Sequence, residues 1–309
     1  MQSEPIATDR LWRRATGLDE ALRCLRERCW TVLAGGTDLY PGTERSALPA
    51  AVLDISAIDA LRGVAIEPSG AKPSGAEPAG AEPAGAAQAL RIGALATWSD
   101  LLGARLPGQF DALAMAAREV GGVQIQNRGT VGGNLCNASP AADGTVALLA
   151  LDAEVELARV ASSRTIPLAQ FLRGVRRTDL GDDELLVAVR APVHAQRTRS
   201  VFLKLGHRRY LVISIAMVAV SVSLDGQERV SRVAIAVGAC APTAVRLATL
   251  EQRLLGLGAG EIGVRFAAIV DDHTLAPIAP IDDVRGTAAY RREAVAALVG
   301  RALQKVCSQ

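Results

Sequence analysis

A chain of 309 residues, half of them hydrophobic and only 3% aromatic, has apolar surface enough for a sizeable core and a length that suggests two domains rather than one. Its 34 basic and 32 acidic residues leave a formal net charge of +2, so no long-range field argues for nucleic acid or an anionic membrane as partner. The five cysteines, Cys24, Cys29, Cys136, Cys240 and Cys307, are odd in number and never spaced as C-x-x-C, which argues against a disulfide framework and against a zinc or iron-sulfur site in this chain.

The opening residues, Met1-Gln-Ser-Glu-Pro5, lack a basic stretch followed by an apolar core, so no secretory signal is expected and a cytoplasmic, reducing setting is. Asp19 to Arg28 then place Ala21, Leu22, Cys24 and Leu25 at helical spacing. The helix leads into Trp30-Thr-Val-Leu-Ala34, a short buried strand, and on into the glycine turn Gly35-Gly36-Thr37-Asp38. Ala51 to Ile55 reads as a second strand. Together these make a small βαβ-type unit whose Gly-Gly turn lies at a strand's carboxyl end, where ligands bind in open α/β sheets.

From Glu67 to Ala86 the chain runs through four Pro/Gly/Ala pentads, EPSGA, KPSGA, EPAGA and EPAGA. Such repeats can neither bury a core nor hold a ladder, so they read as a disordered loop of a hairpin between Gly63–Ile66 and Leu90–Gly93. Helices are expected over Ala94–Arg105 and Phe110–Val120. After Gly121-Gly122 comes Gly129-Thr-Val-Gly-Gly-Asn-Leu-Cys-Asn-Ala-Ser-Pro-Ala-Ala-Asp143, a loop dense in backbone amides and small polar groups. Gly132 and Gly133 allow close approach of a ligand and φ > 0, and successive amides there form an anion-binding concavity. Thr130, Asn134, Asn137 and Ser139 offer hydroxyls and amides, and Asp143 an acceptor for ribose hydroxyls or an adenine amino group. Alone, this segment is read equally well as a chain-turning connection. Two Gly-Gly loops, each after an apolar segment, shift the balance toward a pyrophosphate gripped from both sides.

Val146–Leu151 is a core segment, Glu154–Ala158 and Leu185–Val189 are strands, and Phe171-Leu172 lies on a short helix; this lobe ends near Pro192. The next strand, Val201–Leu205, carries Lys204, one of only three lysines in the chain. The uncharged run Tyr210–Leu224 is shorter than the ~20 residues that span a bilayer and is read as buried strand. Asp225-Gly226 is a hairpin turn, Val233–Val237 the returning strand, and Thr243–Leu255 and Gly286–Gln304 are helices. Gly258-Ala-Gly-Glu-Ile-Gly263 has the letters of a dinucleotide fingerprint. It follows a helical pattern rather than a strand, and is read as coincidence in a loop.

Leu33-Ala-Gly-Gly-Thr-Asp-Leu39 and Thr130-Val-Gly-Gly-Asn-Leu-Cys-Asn-Ala-Ser-Pro-Ala-Ala-Asp143 resemble, in that order, the two FAD-binding motifs of the medium subunits of the xanthine dehydrogenase family of molybdenum hydroxylases, including those of the carbon monoxide dehydrogenase type. Phe202-Leu-Lys204 with Arg208, Ala241-Pro242 with Glu251 and Gly256, and Arg285-Gly-Thr287 with Tyr290-Arg291 resemble later segments of the same family, so the likeness runs through nearly the whole chain. The resemblance implies an α+β protein: a vanillyl-alcohol-oxidase (PCMH-type) FAD-binding domain of two α/β lobes over residues 1–192, divided near residue 60, and a C-terminal flavoprotein domain over 193–309 with a three-stranded antiparallel sheet and helices.

It further implies noncovalent FAD, with Leu33, Ala34, Gly35, Gly36, Thr37, Asp38 and Leu39, and Gly132 and Gly133, at the pyrophosphate, Thr130, Asn134 and Ser139 assisting, Asp143 at the nucleotide half, and Val120, Val187 and Lys204 at or near the isoalloxazine. A lysine cation there favours reduced, anionic flavin. No catalytic residue and no metal ligand is expected in this chain. The resemblance implies that electrons come from a small subunit with 2Fe-2S clusters, served by a large molybdopterin subunit, and leave to an external acceptor. Two departures, Val120 where relatives that reduce NAD carry a ring and Val212 where they carry an acid, argue against NAD as that acceptor and leave Tyr210 as a candidate ring over the flavin. A self-sufficient flavin oxidase of the same fold and a flavin-free binding protein are the alternatives.

Overall fold

The computed structural model describes residues 11–42, 49–69 and 87–308. Its first lobe is the expected small parallel unit: β1 (Leu11–Arg14), α1 (Leu18–Glu27), β2 (Thr31–Leu33) and β3 (Ala51–Asp54), with sheet order β1-β3-β2. Helix α1 carries Asp19 and Glu20 in its first turn and Arg26 in its last, each matched to the helix dipole, and buries Ala21, Leu22, Cys24 and Leu25. Strand β2 ends at the buried Leu33, whose carbonyl accepts from the Ile55 amide at 3.0 Å, and the glycine turn emerges from that edge.

The second lobe opens with β4 (Val64–Pro68) and β5 (Gln88–Gly93), paired antiparallel with Glu67 opposite Ala89. The repeat was expected to begin at Glu67, but Glu67 and Pro68 belong to the ladder; residues 70–86 lie outside the described residues. Then follow α2 (Trp98–Gly103), α3 (Asp111–Glu119), α4 (Val123–Gln126), α5 (Val131–Asn137), α6 (Asp143–Ala150), β6 (Glu154–Arg159), β7 (Ser162–Pro167), α7 (Leu168–Phe171), β8 (Leu172–Gly174), β9 (Arg177–Thr178) and β10 (Leu185–Pro192). The five-stranded sheet has the order β4-β5-β10-β6-β7. Helix α6 is buried at every position, and apart from Asp143 and Thr145 it is built of apolar residues and glycine, so it forms the centre of the molecule rather than a surface.

The third region holds β11 (Thr198–Leu205), β12 (Ala216–Leu224), β13 (Val230–Gly238), β14 (Val245–Arg246), α8 (Ala248–Leu254), α9 (Ala259–Ile269) and α10 (Ala288–Cys307). The antiparallel sheet has the expected three long strands plus the two-residue β14 at its edge. Two expectations fail here. The strand starts at Ala216, not Tyr210: Tyr210, Leu211 and Ile213 are 53–60% exposed on an irregular loop whose Leu211 carbonyl is held by the Arg208 guanidinium. The GxGxxG segment is not a loop but the start of α9, with Glu261 accepting from the Gly258 amide.

One core cluster contains second-lobe residues such as Leu90, Leu113 and Val146 together with Phe202, Met217, Ala219 and Ala236 of the third sheet. At the same boundary Arg246 and Arg232 both reach the Asp152 carboxylate, and Arg246 continues to Glu251 and the Leu149 carbonyl. Burial alone would raise the Asp152 carboxyl, but hydrogen bonds from the two guanidiniums hold it below its ordinary value.

Candidate functional site

A cavity of about 820 Å³ opens between the first and second lobes, within the range of small-molecule sites. Its first wall is Leu33 to Leu39 with Pro41 and Gly42, the segment that leaves β2. Gly36 has φ +74, and a Cβ there would lie 2.5 Å from the Tyr40 ring; a Cβ at Gly35 would fall 1.9 Å from the Arg128 carbonyl oxygen. Glycine is thus forced at both positions, by backbone conformation at one and by crossing main chain at the other. Among the described residues the amides of Gly35, Gly36, Thr37 and Asp38 have no hydrogen-bond partner. Four consecutive unsatisfied N–H groups on a cavity wall are a ready anion cradle.

The second wall is Gly129 to Asn137, folded not as the expected loop but as α5, with Thr130 as its N-cap accepting from the Gly133 amide at 3.1 Å. The Gly132 amide donates to the Ala94 carbonyl at 3.0 Å. Both amides are therefore engaged inside the protein, and neither glycine takes φ > 0. Their contribution is steric: a Cβ on Gly132 would meet Ala94 main chain, whereas one on Gly133 would meet only the Thr130 hydroxyl at 2.8 Å. Asn134 lines the cavity with its side-chain oxygen buried and without a partner, an acceptor waiting for a donor. Asn137 reaches across and donates to Asp38 at 2.9 Å, tying the two walls together. Cys136 sits beside it, its thiol pushed up to about 12 by burial and so inert.

Apart from Arg176, the remaining wall is mainly apolar, with Val120, Ile125, Trp98, Leu95, Leu180, Leu185 and Leu186. Of the sixteen residues expected at the cofactor, the cavity gathers Leu33, Ala34, Gly35, Gly36, Thr37, Asp38, Leu39, Val120, Thr130, Gly132, Gly133 and Asn134. Ser139, Asp143, Val187 and Lys204 are not on its wall. Ser139 accepts from the Ala141 amide at 3.3 Å in the turn after α5. Val187 stands at a bulge in β10, where its side chain joins the first-lobe core and its carbonyl accepts from Ala94, so that Leu185 and Leu186 face the cavity instead.

Asp143 and Lys204 form a buried ion pair at 2.8 Å, joined by the Ser214 hydroxyl at 3.2 Å, which binds the start of α6 to β11 and to the loop before β12. Burial raises the Asp143 carboxyl to about 6 despite the pull of Lys204 and Ser214, with the nearby Glu119 charge adding to the rise. Lys204 also borders a second hollow, of about 680 Å³, with Met115, Arg118, Glu119, Arg208 and Arg209. Tyr210 lies outside the first cavity's wall, with the Arg209 guanidinium 5.3 Å from its ring centroid. Several wall residues had no sequence signal strong enough to single them out, among them Trp98, Leu180 and Arg176. The last sits in a two-residue turn between strands too short to show a period.

A cavity of this size, with free amides on one side and apolar cover on the other, marks an α+β protein suited to a phosphate-bearing cofactor. Comparison with known proteins gives that class its family. Residues 81–194 match the FAD binding domain in molybdopterin dehydrogenase, and residues 201–306 match the CO dehydrogenase flavoprotein C-terminal domain. The chain is 33% identical to the carbon monoxide dehydrogenase medium chain of Hydrogenophaga pseudoflava over 278 residues, 88% of this chain and 87% of that one. It is 30% identical to the glyceraldehyde dehydrogenase medium chain of Sulfolobus acidocaldarius, over 95% of this chain and 96% of that one. A solved carbon monoxide dehydrogenase structure from Hydrogenophaga pseudoflava superposes with a TM-score of 0.81 at 28% identity, covering 96% of this chain and 97% of that one. The chain belongs to the family of FAD-binding medium subunits of molybdenum hydroxylase-type dehydrogenases.

Proposed function

We propose that this subunit holds FAD noncovalently between its first two lobes and relays electrons from an iron-sulfur partner subunit, served by a molybdopterin subunit, to an external acceptor. The observation that carries this reading is the run of four unpartnered amides, Gly35 to Asp38, facing the Thr130–Asn137 wall across a cavity large enough for a dinucleotide. FAD bound there supplies one- and two-electron transfer.

The chain's own residues bind and shield. The four amides and the Gly133 gap receive the diphosphate, Asn134 accepts a hydrogen bond from the cofactor, and Val120, Leu180, Leu185 and Leu186 keep water from the apolar end. Among the described residues the wall's titratable side chains are Asp38, Cys136 and Arg176, and burial keeps Cys136 protonated. Asp38 is tied to Asn137, and among the described residues the wall carries no histidine, lysine or tyrosine to serve an organic substrate, which favours electron relay over self-sufficient oxidation. The free cysteines fit a reducing, cytoplasmic setting. Among the described residues no helix is long and apolar enough to cross a membrane.

Purified protein is expected to carry flavin that acid releases as FAD. Rapid-mixing absorbance of the isolated chain with candidate organic substrates should show no turnover-competent flavin reduction, and reduction should appear in the complex with its iron-sulfur and molybdopterin partners. Fast reduction of the isolated chain would replace this reading with the self-sufficient oxidase.

A further inference from the structure

A diphosphate brings two negative charges to a cavity that already carries Asp38, and among the described residues the wall offers one cationic side chain, Arg176. That arginine is placed with care for a residue whose side chain is 59% exposed. It occupies the turn between β8 and β9 with φ +56, a left-handed conformation uncommon for a residue with a side chain. Its amide donates at 3.0 Å to the carbonyl of Ala138, which ends α5 in the same unusual region, at φ 43 and ψ 45. Two non-glycine residues in left-handed backbone, hydrogen-bonded to each other, pin the hairpin to the end of the second wall. From this anchor the guanidinium donates to Asn137 Oδ1 and comes to 4.0 Å from Asp38 Oδ1, where the Asn137 side chain also arrives. It stands where the two walls meet, beside the last of the four free amides.

We propose that Arg176 is the cationic contact of the cofactor's diphosphate and sets how firmly the dinucleotide is retained. The inference rests on the FAD reading above and deepens it. At 4.0 Å the Asp38 carboxylate is at the limit of ion pairing, so the guanidinium is not committed to it, and its planar fork matches phosphate oxygens in a way an ammonium does not. Without Arg176 the diphosphate and Asp38 would bring like charges together, with only neutral dipoles to offset them. Because the arginine is partly exposed, its attraction is open to screening by salt.

The experiment titrates FAD into apoprotein at several ionic strengths, following flavin fluorescence, for wild type, Arg176→Gln and Arg176→Lys. Arg176→Gln is expected to weaken FAD binding by about tenfold or more and to flatten its salt dependence. Arg176→Lys, which keeps the charge but not the fork, is expected to restore the salt dependence and part of the affinity. Unchanged affinity in Arg176→Gln overturns the proposal, and so does a weakening with the salt slope intact that Arg176→Lys does not relieve, because that pattern belongs to a structural role. Wild-type apoprotein that takes up no FAD sinks the cofactor assignment and this inference with it.

Discussion

Gly132 and Gly133 are adjacent and serve different ends. A Cβ on Gly132 would sit 2.7 Å from the Ala94 carbonyl oxygen and 3.0 Å from its Cα, main-chain atoms that cannot give way. Gly132→Ala is therefore expected to destabilise the fold by about 1–3 kcal/mol, the usual cost of overpacking, read as a lower melting temperature. Gly133→Val meets only the Thr130 hydroxyl, so it forfeits a helix cap worth about 1 kcal/mol yet leaves a folded protein. Its branched side chain intrudes on the cavity wall, and reconstituted Gly133→Val should show no flavin bands; full flavin occupancy would make this segment a mere connection. Asp143 provides a pH signature at the same scale. A carboxyl raised from 3.8 to about 6 contributes stability that is complete below the lower value and lost as pH climbs through the upper one. Comparing Asp143→Asn with wild type isolates that loss: the stability difference should move in the variant's favour from about pH 4 to about pH 6 and level off above. A pH-independent difference in paired thermal melts would show that the carboxyl is not raised.

At the scale of elements, what was legible in the sequence was whatever had a period. Helix α1 showed its buried stripe at helical spacing, and β4 with β5, β6 and β13 showed apolar runs bounded by turn residues. The first Gly-Gly turn was legible because a strand ends just before it. Helix α5 was read as a loop because Gly132, Gly133, Asn134 and Asn137 all disfavour helix, and the Thr130 cap with the packing of Leu135 overrides them. The segment Tyr210–Ile215 was read as strand because it is apolar, but Leu211 takes φ 52, which no strand tolerates. The β8–β9 hairpin, with Arg176 at its turn, spans too few residues for any pattern to emerge. Hairpin β4–β5 has a consequence for the repeat. The Ser69 amide already donates to the Ala87 carbonyl at 2.6 Å, so the ladder closes before the described residues end. Replacing residues 70–86 by a short Gly/Asn turn should leave flavin content and melting temperature nearly unchanged, since loop closure varies by only about 0.6 kcal/mol per doubling of length. Extending the deletion to Glu67 should cost stability, because Glu67 pairs with Ala89 and reaches Arg190. Equal effects of the two deletions would mean the ladder's end does not matter.

For the whole molecule, the sequence break near Pro192 marks where one sheet ends, not where one core ends. The family matches part at the same place, 81–194 and 201–306, yet Phe202, Met217, Ala219 and Ala236 bury their side chains with Val146 and Leu113 of the second lobe. A Cβ on Gly238 would fall 2.4 Å from Val146, so α6 and β13 touch without a gap. The Asp152–Arg232–Arg246 cluster then closes the rim of that contact. Cutting the chain at 192 would expose this face on both pieces, and the 193–309 fragment is expected to aggregate rather than fold alone. The intact apoprotein should accordingly melt in one calorimetric transition, because the third sheet, although its other face has a core of its own with α10, shares the face that packs on α6 with the second lobe. The cofactor cavity takes its walls from the first and second lobes, so FAD binds only the folded arrangement, and at a hundredfold excess over Kd it adds roughly 2.7 kcal/mol to that single transition, a rise of several degrees. Two resolved transitions, of which FAD moves only the one containing the first two lobes, would show instead that the third sheet unfolds as an independent body and that the shared core is too weak to couple them.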